Sequence, residues 1–316
     1  MNSADATPQI NWDSPQMATL IRSALREDIA GGDATVAAIV SPAATARANI
    51  IARQELVVAG LPLAGRVFRA LDAKIVFSTL KPEGAVASSG ETLATISGSA
   101  AAVLSGERTA LNFLARLCGI ATLTRKFVDA LAGTRTRIRD TRKTTPMLRA
   151  LEKYAVRVAG GVNHRFGLYD AILIKENHIA LAGGVHEALD RAHAYARTRA
   201  DSVREMTDYE IAHSDPGAQV LPVQIEVRNE TELRAALAAG ASDVLLDNVP
   251  PAEAARLVKI TRHIRSEVII EISGGITLAN ARAYAQANAD FLSSGSLTYS
   301  VPAADLSLLV ENIAAG

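Results

Sequence analysis

The sequence predicts an α/β protein: a parallel sheet covered by helices, in the manner of a βα barrel, preceded by a small α+β domain. Two observations carry this. From Glu107 onward, near-continuous apolar runs alternate with helical segments, and each run ends in polar residues or glycine. Before Glu107, short strand-like runs mix with one or two helices and are broken by glycine turns.

In the front portion, Met17, Leu20, Ile21, Ala24 and Leu25 recur at helical spacing, which predicts a helix over Met17 to Glu27 closed by Gly31-Gly32-Asp33. Arg47 to Ala59 reads as a strand, Leu61 to Leu71 as a helix and Lys74 to Thr79 as a short strand, with turns at Gly84 and Gly90. Arg108 to Leu131 reads as a long amphipathic helix broken at Gly119, and Leu148 to Val158 as another helix. The strands of the second part each lead into chemistry: Ile138 into Asp140-Thr141-Arg142-Lys143, Ala171 to Ile174 into Lys175, and Val223 to Ile225 into Glu226. Val244 to Leu246 leads into Asp247, Val268 to Ile270 into Ser273-Gly274-Gly275, and Phe291-Leu292 into Ser294-Gly295-Ser296. A single polar strand end reflects its approach to solvent. Six in succession favour a site, because in a βα barrel all strand carboxyl ends open on one face. The polar segment from Arg197 to Pro222 interrupts the rhythm and reads as an excursion without assigned function.

The 316 residues are 49% hydrophobic, ample for a core, and 33 basic residues balance 33 acidic ones. A zero net charge argues against a general nucleic-acid or membrane-surface binder, so anion binding must come from a local basic cluster. The single cysteine, Cys118, excludes an intrachain disulfide and a thiolate zinc cluster and fits a reducing, cytoplasmic compartment. Met1 to Asp13 is polar without an apolar block, which predicts no signal peptide, and no apolar run approaches the roughly 20 residues of a membrane helix.

Arg142 offers a planar fork for carboxylate or phosphate, and Lys143 a compact point charge, among Thr141, Thr144 and Thr145. Arg135, Arg137 and Arg139 precede them at strand period and read as a solvated or subunit-facing edge, since exposed charge is the default. The glycine turn Gly160-Gly161 presents His164 and Arg165 to an anion. Lys175 can be a Schiff-base nucleophile, an anion ligand, or half of an ion pair with Glu176. Glu226 and Asp247 can bind ribose hydroxyls, hold Mg²⁺ through water, or stabilise a developing sugar cation. The last two glycine-rich turns suit phosphate, since helix-start N–H groups cradle it.

In these residues the chain resembles the quinolinate phosphoribosyltransferase family (carboxylating nicotinate-nucleotide pyrophosphorylases) over about Leu25 to Ser300. The strings that carry the resemblance are Glu107 to Leu114, Asp140 to Pro146, Glu152 to Arg157, Gly161 to Arg165, Leu173 to His178, Leu245 to Asn248 and Ser273 to Ile276. The resemblance implies an incomplete βα barrel over 117–297 and an α/β sandwich over 1–116 completed by the tail, about 298–316. It also implies a homodimer, with higher oligomers open, in which Arg108 serves the neighbour's site. The implied reaction joins quinolinate to phosphoribosyl pyrophosphate with Mg²⁺, without organic cofactor, and releases nicotinate mononucleotide, CO2 and pyrophosphate.

By the same resemblance, Arg108, Thr141, Arg142, Lys143, His164, Arg165 and Lys175 would hold quinolinate's carboxylates and part of the phosphates. Glu226 and Asp247 would hold ribose and metal, and Ser273, Gly274, Gly275, Ser294, Gly295 and Ser296 the 5′-phosphate. Lys143, Lys175, Glu226 and Asp247 are the catalytic candidates. The chain departs from the family pattern at Gln224, where an acid is usual, at Tyr299, often histidine, at Ala159, usually glycine or small and polar, and in the longer 197–222 excursion. The rival readings are the molybdenum-transport-associated paralogue, a Schiff-base aldolase using Lys175, and a phosphosugar-binding module without catalysis.

Overall fold

The computed structural model describes residues 10–199 and 220–314. Most of the 197–222 excursion lies outside the described residues. The chain divides into two compact units: Lys126–Thr145 with Gly160–Ser300, and Gln9–Arg125 with Pro146–Ala159 and Val301–Gly316.

The second of these opens with α1 (Pro15–Ile29), whose first turn is capped by Ser14 accepting from the Met17 N–H at 3.2 Å. It buries Met17, Ile21 and Leu25, the stripe that the spacing predicts. Asp33 caps the short α2 (Ala34–Ile39) in the same way. Arg47 to Ala59 forms two strands, β1 (Thr45–Ala52) and β2 (Leu56–Val57), parted by polar Arg53-Gln54-Glu55. Helix α3 occupies Leu61–Leu71, β3 Val76–Thr79, β4 Val86–Ala87 and β5 Thr92–Ser99. The long helix α4 covers Ala100–Ala130.

Gly119 does not break α4. A Cβ there would lie 2.3 Å from the Pro302 carbonyl oxygen, so glycine serves close approach of another segment rather than helix termination. The chain end returns as β12 (Leu306–Ala314), antiparallel to β1, and completes a four-stranded sheet in the order β12-β1-β5-β3. This is the tail-completed α/β layer that the sequence resemblance implies.

Helix α5 (Arg149–Val158) groups with this unit, although it lies inside the 117–297 stretch. The reason is local: the fully buried Glu152 receives Arg116 at 2.9 Å, and Tyr154 donates to Glu83 at 2.8 Å.

The other unit is a parallel sheet of β6 (Arg137–Arg139), β7 (Ile172–Ile174), β8 (Val223–Val227), β9 (Asp243–Asp247), β10 (Ile269–Ser273) and β11 (Phe291–Ser293). Their order is β6-β11-β10-β9-β8-β7, and Val162 bridges in parallel to Arg139 on the free side of β6. Each run is therefore beside its sequence neighbour all the way round except between Val162 and β7, where the ring stays open: an incomplete barrel. Connecting helices are α6 (Glu176–Ala182), α7 (Val185–Arg199), α8 (Glu230–Ala238), α9 (Pro251–Ile264), α10 (Leu278–Ala285) and the single turn α11 (Ser296–Tyr299). No described helix is long and apolar enough to cross a membrane.

Strand residues alternate faces. One face is apolar and buried: Ile138, Ile174, Ile225, Val227, Val244, Leu246, Ile270, Ile272 and Leu292. Register puts Gln224, Glu226, Asp243, Asp247, Glu271, Ser273, Arg139 and Ser293 together on the opposite face.

Candidate active site

Because the strands are parallel, their carboxyl ends open on one side and bring Asp140, Lys175, Glu226, Asp247 and Ser273 together there. The Lys175 ammonium lies 3.2 Å from the Glu226 carboxylate, the residue beside it in the extended β7–β8 register. Glu176, the sequence neighbour considered as its partner, instead pairs with Arg228 at 2.6 Å. Asp247 accepts from the Asn248 amide at 2.7 Å. Asn248 holds the left-handed region at φ 55° and presses against Gly274, where a Cβ would lie 2.2 Å from the Asn248 side-chain oxygen. Gly274 is thus required by contact and by its own φ of 95°.

The loop after β6 carries Thr141, whose hydroxyl accepts from the Lys143 N–H at 3.0 Å, and the exposed Arg142 and Lys143. Lys143 is anchored from the last strand's turn: Thr298 donates to its carbonyl at 2.7 Å, and its ammonium lies 5.9 Å from the Tyr299 ring centre. Gly295 permits this packing, since a Cβ there would meet the Lys143 chain at 2.9 Å and the Tyr299 ring at 2.5 Å. The Ser294 hydroxyl donates to the Ile276 carbonyl and lies 2.7 Å from the Ser296 hydroxyl, tying the two glycine-rich turns into one surface.

The His164-Arg165 turn is held by Asp140, a strand-end residue to which the sequence pattern gives no role, and by Asp170, which it does not single out. Asp140, fully buried, accepts from the His164 N–H at 2.8 Å and from the Asn163 amide at 2.5 Å. Asp170 accepts from the N–H groups of Phe166 and Gly167 at 2.5 and 2.8 Å. Arg165 donates to the Ala171 carbonyl at 2.9 Å. Burial, followed by the like charge of Arg142 and opposed by Asp170, lowers the Arg165 pKa from its ordinary value.

Beneath this face, Arg139 turns inward rather than outward. It pairs with the fully buried Glu271 at 2.8 Å, and its guanidinium carbon stands 3.5 Å from the Phe291 ring centre. The reading of Arg139 as an outer edge is corrected, because β6 lies between Val162 and β11 and its odd positions face the ring's interior. Arg135 is exposed, as that reading expected, and pairs with Asp290. Asp243 also lies on the inner face, where burial pushes its carboxyl up to about 7 against the pull of Gln224 and Arg139.

Arg108 stands on α4 in the other unit with 66% of its side chain exposed. In that unit burial pushes the Cys118 thiol up to about 12, which removes it as a nucleophile.

The sequence profile of the quinolinate phosphoribosyl transferase C-terminal domain matches residues 120–214 and 211–309, and that of the N-terminal domain matches 33–118. The probable nicotinate-nucleotide pyrophosphorylase [carboxylating] of Bacillus subtilis is 39% identical over 93% of both chains. The chain belongs to the quinolinate phosphoribosyltransferase family.

A human nicotinate-nucleotide pyrophosphorylase [carboxylating] is 36% identical over 92% of this chain and 91% of its own. The solved structure of the nicotinate-nucleotide pyrophosphorylase from Francisella tularensis superposes with a TM-score of 0.82 at 36% identity, covering 95% of this chain and 98% of that one. As a quinolinate phosphoribosyltransferase family member the chain is a transferase. The paralogue, aldolase and binding-module readings are not favoured by relatives that are named as carboxylating pyrophosphorylases.

Proposed function

We propose that the chain transfers the phosphoribosyl group of phosphoribosyl pyrophosphate to the ring nitrogen of quinolinate, with loss of pyrophosphate and CO2, giving nicotinate mononucleotide for NAD biosynthesis. The observation that carries this reading is the gathering of Lys175, Glu226, Asp247 and the two glycine-rich turns at the carboxyl ends of the parallel strands, with Arg142 on the loop after β6 and Arg165 near enough to feel its charge. These cations suit a dicarboxylate, whose charge-assisted hydrogen bonds orient the ring.

In the proposed mechanism Arg142, Arg165 and Lys175 hold the two carboxylates, with Arg108 supplied by the partner of a homodimer. Exposure of Arg108 supports that role. Lys143 faces the phosphates. Ser273, Gly274 and Gly275, with Ser294, Gly295 and Ser296, receive the 5′-phosphate through backbone N–H groups and hydroxyls. Glu226 and Asp247 hold the ribose hydroxyls and lie where positive charge develops on the sugar as pyrophosphate leaves. The ring nitrogen's lone pair forms the bond to C1′, and the C1′–O bond electrons depart with pyrophosphate. The resulting pyridinium accepts the electron pair released as the adjacent carboxylate leaves as CO2, and a proton from water then restores the C–H bond. No organic cofactor is required.

The carboxylates of Glu226 and Asp247 at neighbouring strand ends are a donor set that fits Mg²⁺ arriving with its phosphate ligands, since Mg²⁺ keeps several waters and takes only one or two carboxylates. Glu226 and Asp247 would hold it through water, and bound Mg²⁺ would neutralise the pyrophosphate charge. We place the reaction in the cytoplasm, supported by the lone buried thiol of Cys118.

The test is CO2 release from quinolinate with and without phosphoribosyl pyrophosphate and Mg²⁺. Release only when all three are present is expected. Decarboxylation without the phosphoribosyl donor would exclude the pyridinium route.

A further inference from the structure

We infer that Gln224 is a positioning residue that fixes His164 as a neutral, Nε2-protonated imidazole and through it sets the main chain at Arg165. Gln224 is buried on β8. Its amide nitrogen lies 2.9 Å from Asp243 Oδ1 and 3.2 Å from Glu271 Oε2, two carboxylate acceptors on different strands. Both contacts require the NH2 end, so the amide has one orientation and its oxygen faces His164 Nε2 at 3.1 Å. An amide oxygen only accepts, so Nε2 carries the proton. The other ring nitrogen, Nδ1, accepts the Arg165 N–H at 2.7 Å and is therefore bare.

The chain of fixed polarities runs from two buried acids through Gln224 and His164 to the peptide of an arginine facing substrate. It deepens the proposed function and rests on Arg165 binding a quinolinate carboxylate. Its consequence is that His164 supports Arg165 instead of offering a free nitrogen to substrate. The groups around the ring include Glu271 on β10, with Arg139 on β6 paired to it, Asp243 on β9 behind the amide, and Asp140 and Arg165 at the main chain. The competing arrangement is an imidazolium paired with Glu271 Oε1. That oxygen is 3.5 Å from Nε2, and a positive His164 would hold the Glu271 carboxyl low, but the imidazolium needs a proton on Nδ1, where the Arg165 N–H already points from 2.7 Å, and Gln224 Oε1 lies closer to Nε2 than Glu271 does. Asp243, raised to about 7 chiefly by burial, adds less than a full negative charge to the cluster near neutral pH.

The first experiment reads the wild-type protein without turnover, so its result is independent of the proposed reaction. Nitrogen-15 imidazole shifts of His164, assigned with His164→Asn, should show a protonated Nε2 and a bare Nδ1 from pH 6 to 8. A charged ring, or a proton on Nδ1, overturns the inference. The second uses Gln224→Glu, which should draw a second proton onto His164 at low pH and end the acceptance from Arg165. The variant-to-wild-type ratio of quinolinate KM should then rise about two- to tenfold between pH 8.5 and pH 6, the size of one lost hydrogen bond. The ratio for phosphoribosyl pyrophosphate should stay level. A level quinolinate ratio in a folded variant overturns the inference; if the variant does not fold, the wild-type shifts decide alone.

Discussion

Lys175 and Glu226 form an ion pair of 3.2 Å across neighbouring strand ends, joining the residue proposed to hold quinolinate to the one proposed to hold ribose. With half of the lysine exposed, such a pair contributes only about 0.2–1 kcal/mol. In Glu226→Gln the lysine is released, and quinolinate affinity without the second substrate should rise by at most about fivefold. Turnover should fall by about 10²–10³, the loss seen when one preorganised electrostatic group is removed. Calorimetric quinolinate binding beside steady-state kinetics checks both; a variant with unchanged turnover would remove Glu226 from the ribose site.

Arg108 gives a complementation test of the proposed shared site. Arg108→Ala and Lys175→Ala should each be nearly inactive, because every site lacks one cation. After mixed unfolding and refolding, about half the molecules should be heterodimers with one intact site of two, restoring about a quarter of wild-type activity. Confirmed heterodimers without recovered activity would reject the shared-site model.

Asp243 makes a pH prediction. Its folded-state carboxyl, raised from 3.8 to about 7, binds more proton than the unfolded chain between those values. Stability therefore falls as pH rises from about 4 to about 7 and the cost is complete above that, by on the order of 4 kcal/mol at most. Asp243→Asn still offers an oxygen to Gln224 and removes the titration. Urea unfolding should show its gain over wild type to be larger at pH 8 than at pH 5; an equal gain at both would mean that the Asp243 pKa is not raised.

Gly119→Ala sets two effects against each other. Helix propensity favours alanine by about 1 kcal/mol. The new Cβ would meet the Pro302 carbonyl carbon at 3.3 Å and its oxygen at 2.3 Å, both backbone, and such overpacking costs about 1–3 kcal/mol. The clash should win, lowering the urea midpoint; a raised midpoint would show that the chain around Pro302 yields freely.

What the sequence determined is local or periodic. Apolar runs ending in Lys175, Glu226 and Asp247 are read from a period that needs no partner, and the stripe Met17, Ile21, Leu25 is likewise set by helix geometry. Ordered strings such as Asp140 to Pro146 named the family because each position answers to one chemistry. The tertiary structure decided whatever depends on residues far apart in the chain. Gly119 looked like a helix break until Pro302 came against it, and Arg139 looked like an outer edge until Glu271, 132 residues away, came within 2.8 Å. Gln224 stood only as a departure from pattern. Its meaning comes from His164, Asp243 and Glu271, brought around it by strands whose pairing is fixed by burial of their apolar face, a long-range condition that no local run of sequence contains.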